Sequence, residues 1–171
     1  MLIRRALLTD IPAILELLSR IVPVMNAEGN FQWDASYPDR QVFEADIRAG
    51  QLWVAELDSR IAGFAAITMD QEPEYAEVGW DISEPAIVTH RLAVGLDFRG
   101  RGVGKALLQQ AVEEARQGGR AVLRVDTNTN NRATNRLFPA LGYRFSGEIG
   151  LQFRPGLRFN CYEKRLVQIK P

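Results

Sequence analysis

The chain has 171 residues, of which 46% are apolar and 25% charged, so it is large and apolar enough to form one globular domain over residues 1–171. Its 21 basic and 21 acidic side chains balance, so no overall charge favours binding to nucleic acid or to a membrane. The single cysteine excludes an internal disulfide and gives no sign of a metal cluster, and the first ten residues lack an apolar signal core. These features predict a cytoplasmic protein without a membrane-spanning segment.

Hydrophobic periodicity and turn residues predict a mixed order of strands and helices. The first helix is predicted to end at Pro23, because proline disrupts a helix interior. Two strands on either side of Asp58-Ser59 form an antiparallel hairpin. The predicted elements, in chain order, are strand 2–6, helix 11–22, helix 38–48, strand 51–57, strand 61–69, strand 87–94, a helix from 103 to Gly118, strand 121–126, helix 131–140, strand 143–153 and strand 158–166.

The strand-helix-strand unit over 87–126 is predicted to be a parallel, right-handed crossover. The hairpin before it and the two strands after it are antiparallel. The sequence therefore predicts an α/β fold with a mixed sheet.

A basic, glycine-rich loop follows the strand at 87–94 and opens the next helix. Its glycines, spaced two apart, let backbone N–H groups come close to a ligand. At a helix start, those N–H groups and the positive end of the helix dipole favour an anion. Arg99, Arg101 and Lys105 add positive charge, so the loop predicts a ligand that carries phosphate. A turn without a ligand is the alternative.

Two common phosphate-binding patterns do not fit this loop. A G-x-G-x-x-G fingerprint would need a third glycine where the chain has Lys105 or Leu107, and the P-loop pattern fails at both ends. The loop does match [RQ]-x-x-G-x-[GA] directly after a strand, through Arg99, Gly102 and Gly104. In this setting it resembles the acetyl-CoA loop of the GNAT acetyltransferase superfamily.

A second motif supports the resemblance. GNAT proteins often carry N-x-x-A-x-x-L-Y followed by a Gly-Phe or Gly-Tyr pair. Thr134 stands where the alanine is usual, and Phe138 stands where the tyrosine is usual. The order of elements and the C-terminal stretch 147–166 also resemble small bacterial GNAT proteins. The positions that match the motif are Asn131, Leu137, Gly142 and Tyr143.

The resemblance implies a central mixed sheet of about six to seven strands flanked by about four helices, with the strands at 87–94 and 121–126 parallel and splayed apart. It implies acetyl-CoA as the acyl donor and no metal. Backbone groups of 92–94 would pair with the pantetheine arm, and the loop would hold the pyrophosphate of coenzyme A. The implied cofactor-binding residues are Leu92, Ala93, Val94, Arg99, Gly100, Arg101, Gly102, Val103, Gly104, Lys105, Asn131 and Phe138.

The implied reaction is direct attack of a primary amine, on a small molecule or a peptide, on the thioester in a ternary complex. A backbone N–H near Val94 would stabilise the oxyanion. An amine of pKa about 10 needs a base at pH 7, and Glu77, Glu74 and His90 are the candidates. If a glutamate is not the base, its expected role is that of a solvated charge in a loop. If His90 is not the base, its expected role is a hydrogen bond at the end of a strand. Cys161 is either a catalytic nucleophile or a thiol that is buried in the core.

Phe138 departs from the family at a position that matters for catalysis. In many members the tyrosine there gives a proton to the departing sulfur, and phenylalanine has none to give. A thiol of pKa about 8.5 is a tolerable leaving group as thiolate, so a missing acid slows transfer rather than abolishing it. Tyr143 is a poor replacement, because it occupies a core position.

Residues 70–84 carry six carboxylates and no lysine or arginine. Their field would attract a protonated amine, whereas the alternative is a solubilising loop. Aromatic residues near this segment and in 23–37 either line the acceptor site or pack on the core. The predicted acceptor-binding residues are Trp33, Glu74, Tyr75 and Trp80.

Two other classes of function fit parts of the sequence. Phe138 suggests a CoA-binding sensor or regulatory protein of the same fold that has lost turnover. Basic residues at 99–105, 116–124 and 154–170 suggest a nucleic-acid module, but aromatic residues are sparse among them. Many GNAT proteins form a homodimer, although the sequence identifies neither an interface nor the acceptor.

Overall fold

The computed structural model describes residues 1–167 and so excludes the end of the basic stretch 154–170. Within this range the chain forms seven strands and four α-helices, joined by short 3₁₀ turns. The strands are β1 Leu2–Arg5, β2 Leu52–Leu57, β3 Arg60–Thr68, β4 Ala86–Val94, β5 Val122–Asn128, β6 Arg144–Gly150 and β7 Arg158–Arg165. The helices are α1 Ile11–Ala27, α2 Arg40–Arg48, α3 Val103–Gln117 and α4 Arg132–Ala140.

All seven strands form one sheet in the order β1-β2-β3-β4-β5-β7-β6. Strands β4 and β5 are parallel and are joined through α3, while the other neighbouring pairs are antiparallel. The predicted mixed α/β sheet, its hairpin and its parallel crossover are therefore confirmed.

Helices cover both faces of the sheet, and strand alternation decides which residues each helix meets. Phe64 joins the cluster formed with α1 and α2, whereas its neighbour Ala65 joins the cluster that holds Leu107 of α3. On the α1–α2 face, the segment 73–80 covers the far end of the sheet, where Tyr75 packs in a cluster with Phe159 of β7.

The two parallel strands separate halfway along their length, as predicted. Residues Ala86–Thr89 pair with Val122–Val125, and the pairing stops there. Beyond that point β4 continues along β3 and β5 continues along β7, so a gap opens in the sheet. The α1–α2 loop crosses the end of β5: the Gln32 side chain accepts a hydrogen bond from the Asn128 N–H at 3.1 Å, and the Asn130 side chain donates to the Gly29 carbonyl at 3.0 Å.

Strand β4 carries a bulge beside this gap. His90 pairs with Ala66 and Ala93 with Phe64, so two residues of β4 face one residue of β3. The first of them, Arg91, has φ +52°, which costs a residue with a side chain about 1–3 kcal/mol. Its guanidinium donates two hydrogen bonds of 2.8 Å to the buried Asp46 carboxylate on α2, which fixes the bulge to that helix.

The prediction that the first helix ends at Pro23 is wrong. Helix α1 continues to Ala27 with Pro23 inside it. An interior proline costs about 3 kcal/mol, but Val22 and Met25 on either side are buried in the core, and each such side chain contributes about 1.5–3 kcal/mol. Burial of this stretch therefore outweighs the missing hydrogen bond.

Other element boundaries also differ from the predictions. Helix α2 begins at Arg40 rather than at 38, because the Asp39 side chain caps it by accepting from the Val42 N–H at 3.0 Å. The strand predicted over 143–153 is only Arg144–Gly150, and the chain turns after it, leaving Phe153 exposed.

Candidate active site

The glycine-rich loop forms one end of a groove of about 450 Å³. Gly100 and Gly102 have φ of +74° and +79°, and a Cβ added at either would meet nothing within 4 Å. Gly102 is the N-cap of α3 and supplies no capping side chain. The first-turn N–H groups of a helix have no intrahelical partners, so this turn is open to an anion.

The three predicted basic residues of this loop do not act together. Arg99 and Lys105 are exposed and line the groove. Arg101 lies outside it, because its guanidinium pairs with Asp58 at 3.0 Å on the β2–β3 turn. The positive charge that this loop brings to the groove therefore comes from Arg99, Lys105 and the start of α3, and the exposed Arg132 of α4 adds a further cation to the groove wall.

Helix α4 forms the opposite wall through residues of the second motif. Asn131 lines the groove and caps α4 by accepting from the Thr134 N–H at 3.3 Å. The Thr134 hydroxyl, absent from the usual alanine, bonds the Thr127 hydroxyl of β5 at 2.7 Å. Phe138 also lines the groove and packs between Tyr143 and Tyr162, with ring centroids 5.9 and 5.5 Å away.

A second, smaller cavity of about 50 Å³ adjoins the groove. It lies under the α1–α2 loop, against β4, β5 and the β6–β7 connection. The two cavities lie next to each other where β4 and β5 separate, and five residues line both. The residues that line both are Gln32, Trp33, Thr89, Arg91 and Asp126.

Asp126 is the carboxylate at this junction. The Tyr75 hydroxyl donates a hydrogen bond to its Oδ2. Burial raises the pKa of the Asp126 carboxyl, and His90 opposes that rise. Burial also raises the pKa of Tyr75 well above its ordinary value, so this tyrosine remains a donor.

Two more titratable side chains line the smaller cavity. Glu72 is half-buried, and burial raises the pKa of its carboxyl. His90, a predicted candidate base, places its Nε2 3.0 Å from the Asp70 carbonyl oxygen. It thus has the strand-end contact that was its alternative role, while its ring still lines the cavity.

The predicted acceptor residues divide between the site and the core. Trp33 is buried, lines both cavities and stacks on Phe64, with centroids 6.2 Å apart. Tyr75 contacts the site only through its hydroxyl on Asp126. Trp80 lies outside both cavities, under the Arg124 guanidinium at 4.9 Å.

The two candidate glutamates lie away from both cavities. Residues Pro73–Val78 coil into a 3₁₀ turn that buries Tyr75 and leaves Glu77 exposed. The Glu74 carboxylate accepts a hydrogen bond from the Gln152 N–H at 3.0 Å. Spacing alone did not indicate this turn, which directs Glu77 outwards.

Part of the acidic segment serves an internal cation. Arg124 of β5 is fully buried and pairs with Glu84 at 3.4 Å and with Glu163 at 2.9 Å. Glu84 also pairs with Arg165 at 2.8 Å. These contacts reduce the field that the segment presents to an approaching amine.

Cys161 of β7 is buried in the cluster that holds Tyr75 and Phe159, and burial raises the pKa of its thiol. It lines neither cavity, which favours the core role over the nucleophile.

Sequence reasoning missed Asp126 and Glu72. Asp126 had a usable signal, because it is a carboxylate at the last position of the strand predicted to splay.

Within residues 1–167, no helix is long and apolar enough to cross a membrane. The same range holds no group of three histidine, cysteine or acidic side chains placed to bind a metal ion.

Comparison with known proteins identifies the same family as the motifs. A family model described as "Acetyltransferase (GNAT) family" matches residues 12–143. The uncharacterised N-acetyltransferase YesJ of Bacillus subtilis is 26% identical over 146 residues, covering 83% of this chain and 81% of YesJ. The N-acetylaspartate synthetase of Rattus norvegicus is 26% identical over 118 residues, covering 69% of this chain. The chain spans only 36% of that synthetase's length.

Solved structures share the fold over nearly the whole chain. A GNAT-family acetyltransferase from Streptococcus agalactiae has a TM-score of 0.84 at 27% identity, with 98% of this chain and 96% of the other covered. YncA from Salmonella typhimurium, solved with its cofactor acetyl-CoA, has a TM-score of 0.71 at 22% identity, covering 100% and 96%.

Proposed function

Because the chain belongs to the GNAT acetyltransferase family, we propose that it transfers the acetyl group of acetyl-CoA to a primary amine, by direct attack in a ternary complex. The observation that carries this proposal is that the groove at the glycine-rich loop and the smaller cavity share lining residues where β4 and β5 separate. A donor and an acceptor bound in these two spaces would meet at the junction.

The groove has the features that coenzyme A needs. The open turn at Gly100–Gly102, the start of α3, and Arg99 with Lys105 suit the pyrophosphate. From His90 to Val94, the edge of β4 that faces β5 has no strand partner in the described range. Its backbone groups are therefore available to the amides of pantetheine. When bound, acetyl-CoA supplies the activated acetyl group.

The strand edge also provides a place for the developing negative charge. A backbone N–H near Val94 would donate to the carbonyl oxygen as it becomes negative, and such preorganised donors contribute about 3 kcal/mol or more in other enzymes. The Arg91 bulge, fixed to α2 through Asp46, holds the backbone of this stretch in place.

Calorimetric titration with acetyl-CoA, followed by thiol release with a panel of primary amines, tests the proposal. We expect saturable binding, and thiol release that depends on the amine. Failure of the parent protein to bind acetyl-CoA would refute it.

Phe138 favours one second candidate, a CoA-binding sensor with little turnover, because the groove wall there offers no proton. Binding without thiol release for every amine would support the sensor. The Phe138→Tyr variant further separates the enzyme from the sensor. If the protein is an enzyme that lacks its general acid, we expect this variant to raise kcat by up to about 10²-fold, which is what a general acid typically contributes.

A further inference from the structure

Given the proposed function, we propose that the smaller cavity binds a small, cationic primary amine that carries no carboxylate, and that Asp126 accepts its proton. The cavity adjoins the groove beside the separation of β4 and β5, which is where a nucleophile would enter to reach the thioester.

The charges on the cavity wall favour a cation. Glu72 and Asp126 present carboxylates to it. The arginine on the wall, Arg91, has its guanidinium bound to the Asp46 carboxylate by two hydrogen bonds of 2.8 Å. Nearby Arg154 is bound to Asp34 at 3.1 Å. Each of these arginines is thus already neutralised, so a carboxylate on the acceptor would face like charges.

The size and lining of the cavity limit the rest of the acceptor. About 50 Å³ corresponds to on the order of four water-sized groups, at about 10–15 Å³ each. The other walls are mostly aromatic and aliphatic side chains, against which a short methylene chain packs and a cation is attracted. These walls are formed by Trp33, Tyr37, Leu151, Phe153 and Phe159.

Asp126 is placed to take the proton. Tyr75 occupies its Oδ2, and within residues 1–167 its Oδ1 has no hydrogen-bond partner, so one oxygen is fixed and the other is free. One ammonium proton first passes to Asp126 and then to solvent, which frees the lone pair of the amine nitrogen. That nitrogen forms its bond to the acetyl carbon as the carbon–sulfur bond breaks, and a second proton from the nitrogen goes to the departing thiolate. An ammonium and a thioester thereby give an amide, a thiol and one proton.

The charge claim is tested on the parent protein with three matched acceptors: butylamine, 4-aminobutyramide and 4-aminobutyrate. The amide and the carboxylate of the last two have nearly the same shape. We expect kcat/KM for 4-aminobutyrate to be at least about tenfold below that for the amide, because a like-charge contact in a binding site is costly. A preference for 4-aminobutyrate would overturn the proposal.

The proton claim is tested with Asp126→Asn, using Glu113→Gln on the exposed face of α3 as the control. We expect Asp126→Asn to lower kcat for butylamine by about 10²–10⁴-fold at pH 7, with acetyl-CoA affinity unchanged within twofold. The deficit shrinks as the pH approaches about 10.4, where half of the free amine is already deprotonated. An unchanged kcat would overturn the proposal.

The pH profile of the parent provides a second readout. A carboxyl whose pKa is raised must lose its proton before it can act as a base, so kcat/KM falls as the pH drops through that raised pKa, and this acid limb disappears in Asp126→Asn. The ionisable groups around Asp126 are Glu72, Glu74, Tyr75, His90, Arg91 and Cys161. In Glu72→Gln, where Asp126 is intact, we expect the acid limb of the pH profile to remain and the KM for butylamine to rise.

The outcomes separate this inference from the proposed function. If the parent does not bind acetyl-CoA, the proposed function fails. If it binds and transfers acetyl groups but favours 4-aminobutyrate, or does not need Asp126, only this inference fails. Should Asp126→Asn not fold, the acceptor series and Glu72→Gln still decide the charge claim.

Discussion

Replacing Asp46 with alanine tests whether the Arg91–Asp46 ion pair holds the bulge of β4. The Arg91 and Asp46 side chains are only 17% and 10% exposed. Removing one partner of a buried pair costs about 3–5 kcal/mol, because the remaining charge is left uncompensated. The slight exposure places Asp46→Ala near the lower end, at about 3 kcal/mol. For a chain of this length, 1 kcal/mol lowers Tm by about 2–4 °C, so we expect a fall of about 6–12 °C in thermal unfolding.

Helix α2 offers a matched control. Glu44 pairs with Arg40 and Arg48 at 3.6 and 3.9 Å on the exposed side of the same helix. Such pairs contribute about 0.3–0.5 kcal/mol each, so Glu44→Ala should lower Tm by about 1–4 °C. If the two variants shift Tm equally, Asp46 does not hold the bulge.

A double variant isolates the strain from the charge. Arg91 sits at φ +52°, a conformation that glycine adopts without cost. Asp46→Ala combined with Arg91→Gly removes the uncompensated guanidinium and the strain together. We therefore expect the double variant to be more stable than Asp46→Ala alone, and a further loss of stability would contradict the reasoning.

Three further substitutions test the glycine-rich loop, the packing of β3 against β4, and the buried Arg124. Calorimetry should show that Gly102→Glu binds acetyl-CoA at least about tenfold more weakly than Gly102→Ala. Both side chains cost about 1–2 kcal/mol at this positive φ, and only glutamate adds charge. Equal affinities of the two variants would refute the role of the loop. Gly63→Ala should lose about 3 kcal/mol in denaturant unfolding, because its Cβ would lie 2.5 Å from a carbonyl oxygen of β4, and a loss under about 1 kcal/mol would mean that β4 yields easily. Arg124→Met should lose about 3 kcal/mol by removing one of the two arginines that pair with the partly buried Glu163. Arg116→Met on the surface of α3 should change stability by less than about 0.5 kcal/mol.

Local patterns predicted the parts of this protein that depend on neighbouring residues. The glycine-rich loop, its strand and its helix lie in one continuous stretch, so residues 87–117 were predicted closely. The crossover to β5 followed from the same stretch, because a strand, a helix and a second strand in that order predict a parallel pair.

Features that depend on distant contacts were not predictable in the same way. Pro23 remains within a helix because its neighbours are buried against the sheet, and nothing near Pro23 in the sequence indicates that sheet. Glu77 looked suitable as a base from its position between two strands, but the 3₁₀ turn at Pro73–Val78 directs it to solvent. The bulge at Arg91 depends on Asp46, 45 residues earlier in the chain.

Two hydrogen bonds join the α1–α2 loop to the end of β5, through Gln32 and Asn130. They stabilise the gap between β4 and β5. Each spans about a hundred residues of sequence, so the width of the opening is set by the tertiary structure of the whole chain. Under the proposed function, a thioester would enter a gap that is already open between the strands, so little of its binding free energy would be lost to rearrangement of the protein.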